Sequence, residues 1–372
     1  MQIRDYHGII FAYNAAPELR ELVSVRTAAS LPFCGRYRLI DLALSSMRNA
    51  GILDVGVIMQ RDYQSLLDHI GSGKAWDMSR RSGGLRMLPP FGLPEYHTGN
   101  YTGTIEALNT VAPYIRDIQE NHIVLLMGNL CANVDLTEAI RQHHNSGADI
   151  TAICADHTTA GPHHRFVVGE DGFVEKMLLY REGDGEGLPA LEGYIIHKDL
   201  LLDLMDRCRA AHLYNFHQHA LTMFFAEGGK MNVYVHPGYA QIICTVDDYY
   251  RANLDMLCTE KRRQIFPASR PVRTKVHEEV SSYYSEKAVS RRSLVADACI
   301  IEGEIENCIV FPGTRIAEGA KIKNSILMRG CIVGKGAELE NIIADKHCSF
   351  SEGVKLAGSQ KLPMVVPKNS DI

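Results

Sequence analysis

The C-terminal part of the chain contains three consecutive segments that align without a gap. They read IENCIVFPGTRIAEGAK (305–321), IKNSILMRGCIVGKGAE (322–338) and LENIIADKHCSFSEGVK (339–355). Apolar residues, asparagine and glycine each recur at fixed positions of this repeat. The recurring columns are Ile305, Ile322 and Leu339; Asn307, Asn324 and Asn341; Ile309, Ile326 and Ile343; Ile316, Val333 and Phe350; Gly319, Gly336 and Gly353. Because a β-helix stacks equivalent residues of successive coils, the pattern predicts a left-handed parallel β-helix with inward apolar ladders and glycine corners.

The chain upstream of this repeat alternates short apolar runs with amphipathic ones. Short apolar runs bounded by turns are typical of buried parallel strands, and the strand–helix alternation indicates an α/β, Rossmann-like sheet. Ligands of such sheets bind at the carboxyl ends of the strands. We predict strands over 8–12, 55–59, 122–127 and 149–154, and helices over 38–47 and 137–145.

The length of 372 residues exceeds that of a usual single core and favours two domains. We predict a Rossmann-like α/β domain over 1–258 and a β-helix domain over 291–372, with a partial first coil over 293–304. Between them, the polar and proline-containing residues 259–290 are typical of a connector.

Composition excludes several classes of protein. The formal net charge of -5 argues against a nucleic-acid binder, which needs a basic face. No apolar run approaches the roughly 20 residues that span a bilayer, and no signal peptide is evident, so we expect a cytoplasmic protein. The 10 cysteines contain no CxxC pair, which favours reduced core thiols over a disulfide framework or a zinc ribbon.

Several local motifs resemble those of glucose-1-phosphate adenylyltransferase, also called ADP-glucose pyrophosphorylase. The segment LPFCGRYRLID (31–41) is similar to the family's PFGGKYRIIDF, YTGTIEAL (101–108) to its GTADAV, and YYRANLD (249–255) to its YWKANLD. The family joins a parallel α/β domain to a short β-helix, so the resemblance covers nearly the whole chain. It implies that residues 1–258 form a nucleotidyltransferase-like domain, which the departures described below make catalytically degenerate. It implies a link to the reaction of ATP with glucose 1-phosphate that forms ADP-glucose and diphosphate.

The departures from the family fall on its phosphate-binding loop. Catalytic relatives have LAGGxGxRL after the first strand, whose glycines let backbone N–H groups approach the nucleotide phosphates. Here residues 11–19 read FAYNAAPEL, without glycine. Glu18 replaces an arginine that faces triphosphate, and Ala28 replaces a lysine of the KRAKP segment. A carboxylate beside a polyanion opposes ATP binding.

Both metal-holding positions of the family also differ. Its GD aspartate corresponds to Asn129 and the aspartate of its RDVGT segment to Ile242. Nucleotidyl transfer needs magnesium, which prefers carboxylate oxygens. We therefore expect no intact catalytic set and no cofactor on this chain, with Mg²⁺ bound by a catalytic partner. A misaligned segment is the alternative explanation.

Other family positions are retained, and the resemblance gives them vestigial or regulatory roles. Those for the nucleotide are Gly103, Thr104 and Gly128; those for the sugar phosphate are Lys176 and Gly193; candidates for an allosteric sugar phosphate are Arg26 and Arg38. Lys176 is equally compatible with a solvated lysine on an edge strand, and Arg38 with pairing to a structural carboxylate.

Histidines occur as His143-His144, His163-His164 and His217-x-His219. Because these histidines show no recurring spacing of the kind that metal ligands have, we predict no metal site on this chain.

The hypothesis that best fits these patterns is a noncatalytic, regulatory subunit that resembles the GlgD-type members of the family. The resemblance implies assembly with a catalytic subunit into a mixed tetramer, activation of that subunit in glycogen biosynthesis, and a sugar phosphate or phosphate effector. A weakly active nucleotidyltransferase with an altered metal site is the alternative. A hexapeptide-repeat acyltransferase is a third hypothesis, disfavoured by the small number of coils.

Overall fold

The computed structural model describes residues 5–13, 16–60, 62–81, 83–89, 101, 103–156, 163–181, 185–276 and 278–372. Cα packing divides the chain into two compact units, each discontinuous in sequence. The first unit contains residues 1–15, 40–242 and 265–273, and the second contains 16–39, 243–264 and 274–372. Segments 16–39 and 243–264 thus group with the repeat, whereas the predicted boundaries divide the chain once, around residues 259–290.

Strands and helices alternate along most of the chain that precedes the repeat. The strands are β1 (Tyr6–Ala12), β2 (Pro32–Phe33), β3 (Tyr37–Arg38), β4 (Val55–Met59), β5 (Leu85–Leu88), β6 (His122–Met127), β7 (Leu130–Cys131), β8 (Ile150–Ala155), β9 (His163–Val168), β10 (Val174–Arg181), β11 (Leu188–His197), β12 (Met231–His236) and β13 (Gln241–Ile242). The α-helices are α1 (Leu39–Asn49), α2 (Gln64–Ile70), α3 (Thr104–Thr110), α4 (Ala112–Asp117), α5 (Leu136–Ser146), α6 (Lys198–Ala210), α7 (Thr222–Ala226), α8 (Val246–Asp255) and α9 (Thr259–Ile265). Short 3₁₀ helices span Pro17–Val23, Ala28–Ser30 and Lys74–Trp76, and a π-helix spans Phe216–Leu221.

The first unit is built on a nine-stranded sheet. Strand β1 pairs in parallel with β4 on one side and β6 on the other, as the α/β pattern predicts. The sheet is mixed, however, because β11 lies between β6 and β8 and is antiparallel to both. Strand β12 extends the sheet beyond β8 in parallel. The predicted parallel pairing of the central strands is confirmed, and the antiparallel position of β11 is set by long-range pairing that no local pattern reveals.

The core of the first unit forms around the central strands. All seven residues of β1 are buried, and Ile9 and Ile10 have no exposed surface. Burying a large aliphatic side chain contributes about 1.5–3 kcal/mol relative to leaving it exposed. Helix α5 begins where the Asp135 side chain accepts a hydrogen bond of 3.1 Å from the Glu138 N–H, which satisfies a free helical donor.

The second unit contains the predicted β-helix. Its short strands form three parallel sheets of five strands each. The first sheet comprises β14 (Tyr283–Tyr284), β17 (Ile300–Ile301), β20 (Arg315–Ile316), β23 (Ile332–Val333) and β26 (Ser349–Phe350). The second comprises β15 (Val289–Arg291), β18 (Glu304–Glu306), β21 (Lys321–Lys323), β24 (Glu338–Glu340) and β27 (Lys355–Ala357). The third comprises β16 (Leu294–Val295), β19 (Ile309–Val310), β22 (Ile326–Leu327), β25 (Ile342–Ala344) and β28 (Met364–Val366).

The apolar columns of the sequence repeat are the ladders of this β-helix. Ile305 pairs with Ile322, and Ile322 with Leu339, so that three buried side chains stack in register. The coils begin earlier than the predicted partial coil, because β14 and β15 lie within the residues expected to form a connector. The polar and proline-containing composition of residues 259–290 gave no indication of these strands, which are only two and three residues long.

The corners of the coils require left-handed backbone. Asn307, Asn324 and Asn341 have φ of 52°, 47° and 54°. Asparagine adopts this region more readily than most residues, and the Asn307 Nδ2 group donates a hydrogen bond of 3.1 Å to Asn324 Oδ1. The glycine column occupies a second left-handed corner, with φ between 64° and 78° at Gly319, Gly336 and Gly353. The prediction that glycine marks the corners is confirmed.

The second sheet carries charges that alternate in sign from coil to coil. Glu304 pairs with Lys321, Lys321 with Glu338, and Glu338 with Lys355. Lys355 Nζ lies 2.9 Å from Glu338 Oε1 in an exposed ion pair. Opposite charges on directly facing residues stabilise a strand pair modestly, by roughly 0.2–1 kcal/mol.

Two segments that carry the family resemblance are held together within the second unit. The Tyr249 hydroxyl of α8 donates a hydrogen bond of 2.6 Å to the carbonyl of Pro32, and Asn253 Oδ1 accepts one of 3.0 Å from the N–H of Cys34. The Tyr250 hydroxyl donates to the carbonyl of Asn324 at 2.5 Å. These motif residues therefore have structural roles that require no ligand.

All ten cysteines, each within the described ranges, are free thiols. Within those ranges, no helix combines the length and the apolar character needed to cross a bilayer.

Candidate functional site

Strand pairing in the first unit brings Asn129 and Ile242 close together, the two positions that the resemblance matches to metal ligands of the family. Asn129 directly precedes β7, and Ile242 of β13 pairs with Leu130 of β7. Both side chains are buried, with 9% of Asn129 and 6% of Ile242 exposed. Magnesium is held mainly through carboxylate oxygens. An amide and a hydrocarbon do not fit that ion.

An aromatic cluster occupies the carboxyl end of β1, where the phosphate-binding loop of catalytic relatives begins. Tyr13 is 6% exposed, and its ring meets that of Tyr101 edge-on at a centroid distance of 5.4 Å. The Tyr13 hydroxyl lies 3.1 Å from Thr104 Oγ1, and the Tyr101 hydroxyl donates to the carbonyl of Met59 at 3.0 Å. The Tyr13 side chain is therefore packed and hydrogen-bonded within the first unit. Asn14, Ala15 and Thr102 lie outside the described residues.

The retained nucleotide-side residues have partners inside the first unit. Gly103 precedes α3, and a Cβ at this position would overlap the carbonyl group of Tyr214. Thr104 contacts the Tyr13 hydroxyl, and the N–H of Gly128 donates a hydrogen bond of 2.8 Å to the carbonyl of Phe11. Contacts within the first unit therefore account for Gly103 and Thr104 without a nucleotide, whereas the Gly128 N–H bond does not require glycine. The vestigial role of all three residues stays a prediction.

The sugar-side residues lie on neighbouring parts of the same sheet. Lys176 of β10 is 62% exposed, and its Nζ atom lies 3.6 Å from Glu186 Oε1. An exposed pair at this distance is weak, so the ammonium group remains available to an anion. Gly193 of β11 lies against Ile153 and Leu126, each 3.0 Å from where a Cβ would be. Lys176 as a phosphate ligand stays a prediction.

Sequence reasoning missed a cluster formed by His164, Glu192 and His217. Glu192 Oε2 lies 3.2 Å from His217 Nε2, and Glu192 Oε1 lies 4.0 Å from His164 Nε2. Burial raises the pKa of Glu192 to about 8. Burial, followed by the neighbouring His164, lowers the pKa of His217 well below its usual range. The available signal was an acidic residue inside the otherwise apolar strand β11.

The remaining candidates lie in the second unit. Glu18 is exposed in the 3₁₀ helix over Pro17–Val23, and Ala28 is buried with 1% exposed. Arg26 is 2% exposed, and its Nη2 atom donates to both carboxylate oxygens of Asp345, at 2.9 and 2.8 Å. A phosphate would have to compete with Asp345 for this guanidinium, and the effector role of Arg26 stays a prediction.

Lys346 lies in a cationic environment of the second unit. Burial, followed by the positive charges of Arg38 and Arg26, lowers its pKa to about 7, and Asp345 offsets part of this effect. Arg38 is half-buried at the end of β3. Because an anion relieves repulsion among neighbouring cations, this environment is compatible with a phosphate group, and the effector role of Arg38 stays a prediction.

The titration of Lys346 predicts a pH-dependent stability. An unfolded lysine keeps its proton up to a pH of about 10.4, whereas the folded Lys346 loses it near pH 7, so burial of this residue costs stability below pH 10. We expect Lys346→Met to be more stable than the wild type at pH 7. Its advantage should shrink by at most about 1.4 kcal/mol per pH unit towards pH 10. Urea unfolding at several pH values measures this difference.

Lys335→Met, at an exposed lysine of the same β-helix, serves as the matched control. An advantage of Lys346→Met that does not change between pH 7 and 10 would contradict the assigned titration.

Similarity to known proteins extends over most of the chain. Residues 8–171 match the family described as Nucleotidyl transferase, and residues 277–361 match the family described as GlmU-like, C-terminal hexapeptide. The glycogen biosynthesis protein GlgD of Geobacillus stearothermophilus is 31% identical over 339 residues, which cover 85% of this chain and 82% of that protein. GlgD of Bacillus subtilis (strain 168) is 28% identical over 317 residues, with the same coverage. The glucose-1-phosphate adenylyltransferase of Geobacillus stearothermophilus is 30% identical over 322 residues, again with the same coverage.

Proposed function

Because this chain belongs to the family that comprises glucose-1-phosphate adenylyltransferases and GlgD proteins, we propose that it is a noncatalytic, regulatory subunit acting in glycogen biosynthesis. In this proposal it assembles with a catalytic subunit and raises the rate at which that subunit converts ATP and glucose 1-phosphate into ADP-glucose and diphosphate. The catalytic subunit supplies the Mg²⁺ site.

The observation that carries the proposal is the pair of side chains at the β7–β13 ladder. Transfer of a nucleotidyl group develops charge on phosphate oxygens, and in metal-dependent transfer a bound cation stabilises that charge. Asn129 offers a neutral amide and Ile242 offers no ligand atom, although Ile242 pairs with Leu130, the residue that follows Asn129. The lack of carboxylates at these two neighbouring positions supports a noncatalytic role.

The aromatic cluster at the end of β1 supports the same proposal. A triphosphate is bound through backbone N–H groups that approach it closely, which requires small residues. Tyr13 instead packs against Tyr101 and bonds to Thr104. Restoring the carboxylates alone would therefore leave the phosphate position obstructed.

Assembly is the remaining part of the proposal. The second unit keeps a continuous apolar β-helix core, including Cys299, Ile316 and Phe350. A subunit that lacks the catalytic side chains but keeps this folded domain can still contact a partner. We propose that the subunits form a homo- or heterotetramer, because most soluble oligomers have closed symmetry and tetramers built from two dimers are common among them.

An anionic effector, either a sugar phosphate or inorganic phosphate, fits the cations of the second unit. Arg38 and the partly neutral Lys346 support this part of the proposal. Binding of the anion would return the proton to Lys346 and favour the charged form.

The test is an assay of ADP-glucose formation from ATP and glucose 1-phosphate in the presence of Mg²⁺. We expect no turnover by this chain alone, co-purification with a catalytic adenylyltransferase encoded in the same genome, and a higher rate of the mixture than of the catalytic subunit alone. No co-purification and no stimulation would remove the proposed mechanism.

The alternative, a weakly active nucleotidyltransferase, predicts a different result. Turnover by the purified chain that persists after further purification, and that Lys176→Ala abolishes, would establish the alternative and overturn the noncatalytic proposal. Asn129→Asp combined with Ile242→Asp serves as a second variant. We expect it to remain inactive unless Tyr13→Gly also opens the loop.

A further inference from the structure

Three metal-ligating side chains of the first unit converge from three separate elements. His164 lies on β9, Glu192 on β11, and His217 in the π-helix over Phe216–Leu221. Strands β9 and β11 are paired, with Leu188 opposite Phe166, so two of the ligands are carried by one rigid sheet. π-Helices are rare and frequently mark functional sites.

Local backbone features direct Glu192 into this cluster. The strand has an irregular register between Ala190 and Gly193, and Glu192 has a left-handed φ of 55°. A bulge re-aims the side chain of a strand residue, and a non-glycine residue at positive φ is unfavourable unless its surroundings hold it there. The surrounding structure therefore stabilises a conformation that brings a carboxylate to two imidazoles.

We propose that His164, Glu192 and His217 bind a divalent first-row transition-metal ion, with Zn²⁺ as the probe. Among the described residues, one ligand atom from each of these side chains lies within 4.8 Å of the other two. Two imidazoles and one carboxylate are a donor set that suits Zn²⁺ and its neighbours in the row. A +2 charge would compensate the negative charge of the half-buried Glu192 carboxylate.

The distances are close to those of a metal centre. Ligand bonds of about 2.0–2.2 Å around a tetrahedral ion separate neighbouring ligand atoms by roughly 3.3 Å. The distance of 3.2 Å between Glu192 Oε2 and His217 Nε2 agrees with this value. His164 Nε2 lies 4.0 Å from the other carboxylate oxygen, so the three ligand atoms, now within 4.8 Å of one another, have to move closer together. The Glu192 side chain is 24% exposed, which leaves a route for an ion.

Binding requires a small rearrangement of the two rings. The imidazoles of His164 and His217 are stacked at a centroid distance of 3.9 Å with an angle of 13° between their planes. Each ring has to rotate so that its nitrogen lone pair points to a shared ion. The χ2 torsion of histidine, which sets the ring orientation, adopts a broad range of values. The Tyr194 hydroxyl, which now bonds to His217 Nε2, would be released to water or to the ion.

This centre differs from the position at which the family holds magnesium. It shares no residue with Asn129 and Ile242, and its nitrogen ligands disfavour Mg²⁺, which prefers oxygen. The ion would join β9 and β11 to the π-helix. The N–H of Ile105 bonds to the carbonyl of Tyr214, just ahead of that helix, so the ion would also stabilise the segment next to Gly103.

Calorimetric titration of the full, untagged chain with Zn²⁺, after chelator treatment, tests the proposal. We expect one equivalent to bind and to raise the melting temperature. The isosteric variant Glu192→Gln and the variant His217→Ala should each weaken binding by about tenfold or more. His144→Ala, at an exposed histidine of α5, is the matched control and should bind as the wild type does. Mg²⁺ should cause no shift.

Cobalt distinguishes this centre from binding by the free cysteines. Co²⁺ bound here should give visible absorption without the near-ultraviolet band of thiolate coordination. The proposal is overturned if the wild type binds no Zn²⁺, if Glu192→Gln binds it as tightly as the wild type, or if the cobalt spectrum shows thiolate ligands. Glu192→Gln preserves shape, so its folding can be verified by circular dichroism before titration.

Discussion

Arg26→Met is expected to destabilise the second unit by about 3–5 kcal/mol, the cost of leaving one member of a buried ion pair without its partner. The side chains of Arg26 and Asp345 are 2% and 1% exposed, and the guanidinium donates to both carboxylate oxygens. Removing the cation leaves the Asp345 carboxylate in a site with little access to water. Equilibrium urea unfolding followed by circular dichroism measures the loss.

A double variant separates the cost of an unpaired charge from the net value of the pair. Arg26→Met with Asp345→Leu removes both charges and should recover most of the loss, because apolar side chains often replace a buried pair without penalty. Arg251→Met, which breaks an exposed pair with Asp247 in α8, should cost about 0–1 kcal/mol. A loss as small for Arg26→Met as for Arg251→Met would contradict a buried, stabilising pair.

Ile322→Ala should have an effect of similar size, about 2–5 kcal/mol. Ile322 is 2% exposed and lies between Ile305 and Leu339 in the central ladder of the β-helix. A solenoid is stabilised by contacts between neighbouring coils, so a cavity in a middle coil weakens the interface on both sides. The midpoint of urea unfolding should fall accordingly.

Lys321→Ala provides the control on the same strand. This residue precedes Ile322 and is exposed, and surface substitutions of this kind usually change stability by less than about 0.5 kcal/mol. Equal losses for Ile322→Ala and Lys321→Ala would mean that burial in the ladder does not determine the stability of the coil.

The β-helix could be predicted from the chain because its periodicity is local. Each column recurs every 17 residues, so Ile305, Ile322 and Leu339 indicate their own pairing. Strands β4 and β6 were likewise predicted at their observed ends, since each is a continuous apolar run with clear limits. The family, and with it the fold class, was predicted from the same motifs and is confirmed.

The features that escaped prediction depend on contacts between distant segments. Strand β11 lies antiparallel between β6 and β8, an arrangement that no local pattern encodes. The adjacency of Asn129 and Ile242 was expected from the resemblance alone, and the β7–β13 pairing supplies its physical basis. His164, Glu192 and His217 are far apart in sequence, and histidine spacing was uninformative because the third ligand is an acid inside an apolar strand.

The charges on the second sheet of the β-helix repeat every two coils, whereas the apolar residues of the core repeat every coil. Apolar columns repeat with every coil, but Glu304 is followed by Lys321 and returns as Glu338 only after two coils. Deleting residues 321–337 would leave each apolar ladder in register and yet place Glu304 beside Glu338. Like charges facing one another across a strand pair destabilise it. The apolar ladders therefore tolerate the loss or gain of any whole number of coils, whereas the pairing of opposite charges on the surface is preserved only when that number is even.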